Sequence, residues 1–90
     1  MTTIAPPKVK EFDPSTIEKI AYNSVKNIPT REPNDQYRLG YSIWMFLTEK
    51  RGSVELAVRN SGSRLLIPEQ DAIATIKQEL KKSGVETLNV

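Results

Sequence analysis

The sequence predicts a small α+β domain, a three-stranded antiparallel meander flanked by an N-terminal and a C-terminal helix. Three observations predict it. Residues from Tyr37 to Thr48 alternate with period two, two polar turn signals divide Tyr37–Ile67 into three runs, and the stretches on either side carry apolar residues at helical spacing. The element order is α-β-β-β-α; Val85–Val90 alternates well enough for a fourth, closing strand, and a docked or frayed tail fits it equally.

Taken in order, residues 1–12 read as an extended or disordered tail, because Pro6-Pro7 bars a helix and Lys8-Val9-Lys10 alternates only weakly. The domain is expected over 13–90. Asp13-Pro14 is a helix start, a capping acceptor followed by a proline at the first helical position. Ile17, Ile20, Ala21, Ser24, Val25 and Ile28 then form one stripe that Pro29 ends, and Pro29–Gln36 reads as a loop. In the first strand Tyr37, Leu39, Tyr41, Ile43, Met45 and Leu47 share a face. Glu49–Ser53 is a polar hairpin connection, Val54–Arg59 the second strand, Asn60–Ser63 another turn, and Arg64–Ile67 the third strand. From Pro68 a helix carries Glu69 and Asp71 in its first turn and Lys81 and Lys82 in its last, as the helix dipole favours. Ala72, Ile73, Ile76 and Leu80 are its buried stripe, and Gly84 fits the position after its end.

Composition narrows the chemistry. At 90 residues with 38% hydrophobic content, the chain can build one core and no more. The absence of Cys removes disulfides, thiol nucleophiles and thiolate metal sites. The absence of His removes the usual general base near neutral pH and the commonest transition-metal ligand. Ser53, Ser61 and Ser63 therefore have no triad to join, and Gly40, Gly52, Gly62 and Gly84 are isolated rather than a phosphate loop. A non-enzymatic protein without cofactor or metal is expected. A secreted domain of this size would usually carry disulfides, and the N-terminus lacks a signal peptide's basic and apolar regions. With no apolar run longer than Ile43–Leu47, an intracellular, cytoplasmic location away from membranes is expected.

The meander's register puts its aliphatic residues on one face and leaves a second face with Arg38, Ser42, Trp44, Phe46, Ala57, Arg59, Arg64 and Leu66. The net charge of +2 is concentrated there and at the first turn: Arg38, Lys50, Arg51, Arg59 and Arg64 stand against only Glu49 and Glu55 between Tyr37 and Ile67. The expected function is therefore binding, with Arg38, Trp44, Phe46, Lys50, Arg51, Arg59 and Arg64 as the site. One partner is nucleic acid, preferentially single-stranded DNA or RNA, whose bases would stack on Trp44 and Phe46 while the cations meet phosphates. The alternative is a protein partner, or a homodimer, on the same face. The first helix or the tail covering Trp44 and Phe46 would leave no exposed patch. Over residues 37–82 the meander and the helix opening Ile67-Pro68-Glu69-Gln70 resemble, in architecture, the sheet-and-helix units of small single-strand-binding transcription cofactors.

Overall fold

The computed structural model describes residues 13–49 and 51–85. These form four helices, α1 (Pro14–Val25), α2 (Pro33–Glu49), α3 (Val54–Arg59) and α4 (Glu69–Lys82), and 68% of the described residues are helical. No sheet exists among them, only an isolated antiparallel bridge between Thr30 and Leu65. The α+β meander is thereby corrected to an all-helical fold. The first expected strand and half of the expected Pro29–Gln36 loop lie in α2, the second strand is α3, and the third is an extended strap with one bridge. The tail over 1–12 and the fourth strand beyond Val85 fall outside the described residues.

The two outer helices follow their end signals. At α1 the Thr16 N–H donates to Asp13 Oδ1 (2.9 Å), with Pro14 opening the helix. At the end of α4, Val85 N–H donates to Leu80 O (2.9 Å) and Gly84 N–H to Lys81 O (3.0 Å). Gly84 takes φ +91, which a side chain would resist, and Val85 is buried beside Leu80.

α2 is a helix because two helical stripes coexist on it. Leu39, Ile43, Phe46 and Leu47 recur at i, i+4, i+7 and i+8 and are all buried, whereas Tyr37, Tyr41 and Trp44 form a second row turned outward. Superposed, the two rows fill nearly every odd position with an apolar residue and imitate a strand. α3 has only six residues and no stripe of its own; Ser53 caps it, accepting from Leu56 N–H (3.1 Å).

α1 packs on α2 and α4, and α3 packs on the same two helices, so the four close a ring around one core. Ile28, Leu39, Ile43, Leu47, Ile76 and Leu80 are its largest fully buried side chains. Polar ties fix the corners. Gln36 Nε2 lies 3.0, 3.1 and 3.0 Å from the carbonyls of Val25, Lys26 and Ile28, so one amide of α2 is held by the carbonyls at the end of α1 and in the turn after it. Ser42 Oγ donates to Ala57 O (2.6 Å), joining α2 to α3, and Lys77 Nζ donates to Glu55 Oε2 (2.8 Å), joining α4 to α3. The strap is held by Arg31 N–H to Arg64 O (3.0 Å) and Leu66 N–H to Pro29 O (3.0 Å).

The Gln36 contact gives a test of the α1–α2 corner. Gln36→Ala removes the donor and costs about 1–2 kcal/mol by urea unfolding. Gln36→Glu costs more, because its carboxylate would face three carbonyls at the negative end of a helix. If the two variants are equally stable, the amide is not what closes this corner.

Candidate functional site

On an all-helical frame the six expected site residues that the structure describes separate. Phe46 is 7% exposed and belongs to the core, so it offers no stacking surface. Trp44 is half-buried, packed against that core from its edge. Lys50 lies outside the described residues. Arg38, Arg51, Arg59 and Arg64 are exposed, but on three different elements and a connecting turn, and each sits near a carboxylate. Arg38 Nη1 is 3.6 Å from Asp35, Arg51 Nε 3.6 Å from Glu49, and Arg59 Nε 3.5 Å from Glu69. Arg64 Nη2 is 3.2 Å from Asp35 and 3.7 Å from Glu32. The flat face on which Trp44 and Phe46 would have pointed the same way is not formed, and the resemblance to sheet-based single-strand binders goes with it.

What the structure brings together instead is a band of aromatic rings on α1 and α2. Tyr37, Tyr41 and Trp44 follow one another at i, i+4 and i+7 along the outer side of α2. Tyr41 meets Trp44 edge to face with centroids 5.7 Å apart, and Tyr22 of α1 meets Tyr37 in the same manner at 5.6 Å. Gly40 makes this arrangement fit: a Cβ there would stand 2.5 Å from Cε1 of Tyr22 and closer still to Cδ1. Burial first, then the neighbouring Tyr37, Glu18 and Tyr41, raise the Tyr22 pKa above the ordinary phenol value, so the hydroxyl stays a neutral donor at physiological pH.

The band is only partly covered. Tyr37 is 67% and Tyr41 52% exposed. Beyond Tyr41, half-buried Met45 leads into an open groove of 360 Å³ between α2 and α3, where Leu56 is 46% exposed. Its polar margin is Ser42, Glu49, Arg51 and Asn60. A strip of three exposed side chains, Tyr37, Tyr41 and Leu56, continuous with half-buried Tyr22, Trp44 and Met45, is more than scattered surface hydrophobics. Its components, Tyr, Trp and Met with Arg38 at the rim, are the residue types enriched at protein interfaces.

Two further carboxyls, Glu55 and Asp35, are tied to basic partners. Lys77, by its hydrogen bond, holds the Glu55 carboxyl below the ordinary value. Burial works to raise that of Asp35, but the Arg64 hydrogen bonds and charge outweigh it. Among the described residues no group of three His, Cys, Asp or Glu is arranged to hold a metal ion, and no helix is long and apolar enough to cross a membrane.

Tyr22, Tyr37 and Tyr41 read from sequence as core or rim aromatics. Their signal was the helical spacing of Tyr37, Tyr41 and Trp44 with Gly40 set among them, which period-two alternation of the same stretch concealed. Compared with known protein families, curated proteins and solved structures, the chain matches none, which leaves the aromatic band of α1 and α2 as the feature its function has to be read from.

Proposed function

We propose that this chain is a small, non-enzymatic protein-docking module whose binding surface is the aromatic band of α1 and α2. The observation that carries the reading is the outward placement of Tyr37 and Tyr41, which the fold does not need. The core is complete beneath them with Leu39, Ile43, Phe46 and Leu47. Rigid rings with a polar tip supply contact area at low entropic cost and keep the free surface wettable.

A protein partner is favoured over a nucleic acid by the state of the arginines. Nucleic-acid binding draws its affinity from cations free to exchange counterions for phosphates. Here Arg38, Arg51, Arg59 and Arg64 each have a carboxylate within 3.2–3.6 Å, which reduces the positive potential each presents to a phosphate.

The test compares proteins retained by the wild type, by Tyr41→Glu, and by Leu66→Glu, which alters an exposed leucine on the strap. Docking through the band predicts that Tyr41→Glu loses partners that Leu66→Glu keeps. A retained set unchanged by Tyr41→Glu refutes the reading.

A further inference from the structure

We infer that the occupant of the aromatic band is a second copy of this chain, laid antiparallel so that α2 packs on α2 with the two-fold axis at Tyr41. The inference rests on the docking reading above and names its partner.

The outer face of α2 is centred on Tyr41. At about 100° per residue, Tyr37 and Trp44 fall to one side of it, Arg38 and Met45 to the other, and Asn34 and Thr48 lie above and below on the same line. Asn34, Tyr37, Arg38, Tyr41 and Thr48 are exposed and Trp44 and Met45 half-buried, so the face is available along its length. Of the positions 34, 37, 41, 44 and 48 on this line, the three central ones are aromatic, so two turns of the helix carry the rings and polar Asn34 and Thr48 bound them.

The chemistry of this face is the same read in either direction. In an antiparallel pair with the axis at Tyr41, the two Tyr41 rings meet. Tyr37 meets Trp44 of the second copy, Arg38 meets its Met45, and Asn34 meets its Thr48. Each of the last three contacts occurs twice. Aromatic rings therefore face aromatic rings, the aliphatic stem of Arg38 lies along a thioether, and polar residues close both ends. No like charges oppose one another, because the two Arg38 positions stand about 9 Å apart along the helix direction. A parallel pairing would instead set Arg38 on Arg38 and align the helix dipoles. Asp35 already holds Arg38 from its inner side at 3.6 Å, which leaves the stem displayed on the outer face. One 17-residue helix pair buries less than the roughly 1,200 Å² of a standard stable interface, so the dimer is expected to be weak and concentration-dependent.

The chain has no cysteine, so single cysteines report proximity without background. Sedimentation equilibrium of the full chain should show the mean mass rise from monomer toward dimer between about 1 µM and about 1 mM. Under a glutathione redox buffer, Tyr41→Cys should couple to itself at least ~10-fold faster than Leu66→Cys, since the axis holds the two thiols together. Arg38→Cys mixed with Met45→Cys should give the mixed dimer in preference to either self-coupled product. A mean mass that stays monomeric to about 1 mM, with Tyr41→Cys no faster than Leu66→Cys, overturns the second copy as occupant. Self-coupling of Arg38→Cys as fast as the mixed reaction overturns the antiparallel register. If the chain is monomeric and Tyr41→Glu still strips retained proteins, only the identity of the occupant fails. If Tyr41→Glu changes nothing either, the docking reading falls with it.

Discussion

Phe46→Ala lowers the unfolding free energy by about 3–5 kcal/mol, while Tyr41→Ala, one and a half turns away, stays within about 1 kcal/mol of wild type. The expected loss for Phe46 combines its transfer out of the core with the cavity left among tightly packed neighbours, since it is only 7% exposed beside fully buried Ile43 and Leu47. A domain of this size has roughly 5–13 kcal/mol to lose, so the truncation removes a large share of it. Trp44→Ala should fall between these two, because the indole packs on the core but keeps one side open. The order Phe46, Trp44, Tyr41 is diagnostic. In a strand, positions 44 and 46 share a face and would respond alike; in α2 they are about 200° apart. Urea unfolding of the three variants measures the order directly. Equal losses for Phe46→Ala and Trp44→Ala would mean that Phe46 is not the deeper residue.

The same two positions show why the fold was only half legible. The outer helices announce themselves at their ends. Asp13-Pro14, the acidic first turn and basic last turn of α4, and Gly84 after it each satisfy backbone groups or the dipole locally, and local chemistry can be read without knowing the partner. α2 has no comparable signal beyond Pro33 at its first position and Asp35 in its first turn, and its interior contains Gly40 and a run of large apolar residues that suit a strand equally well. What decides between period two and period 3.6 is which residues find a neighbour. Leu39, Ile43 and Leu47 find α1 and α3 only because Gly40 lets Tyr22 approach and Ser42 fastens Ala57. Those are contacts between residues 15 or more apart in sequence. α3, with six residues, is too short for any period to assert itself. The site followed the fold: the sequence left open whether Trp44 and Phe46 are covered, and the structure separates them, Trp44 half-buried at the edge of the core and Phe46 within it. The four arginines that looked like surplus charge along the chain are each beside a carboxylate in space.

Asp35→Asn destabilises the protein by several degrees at neutral pH and flattens its acid limb. Asp35 is fully buried in the first turn of α2, and the strap converges on it. Arg64 Nε lies 3.2 Å from Oδ2 and 3.4 Å from Oδ1, Arg64 Nη2 lies 3.2 Å from Oδ2, and Ser63 Oγ donates to the Asp35 carbonyl at 2.5 Å. Arg38 adds a longer contact from one turn onward. Burial pushes the carboxyl pKa up, but hydrogen bonds and charge from Arg64 push it down further, so the folded value lies below the ordinary 3.8. A depressed carboxylate pKa contributes stability that is complete above the unfolded value. The contribution is lost as pH falls from about 4 through the lower folded value. The amide keeps the shape but cannot answer the guanidinium, so the variant lacks that contribution at every pH. Wild type and Asp35→Asn should therefore differ most near neutral pH and converge as the pH falls through the lowered folded value. Asp13, held low first by its Thr16 hydrogen bonds, and Glu55, held low first by Lys77, leave the variant some acid sensitivity of its own. Thermal unfolding of both proteins across pH 2–7 tests this. A constant gap across that range would show that Asp35 acts through shape and not through its charge. Because the strap hangs from the same residue, amide exchange at Leu66, whose N–H donates to Pro29, should accelerate in Asp35→Asn before the core amides of α4 respond.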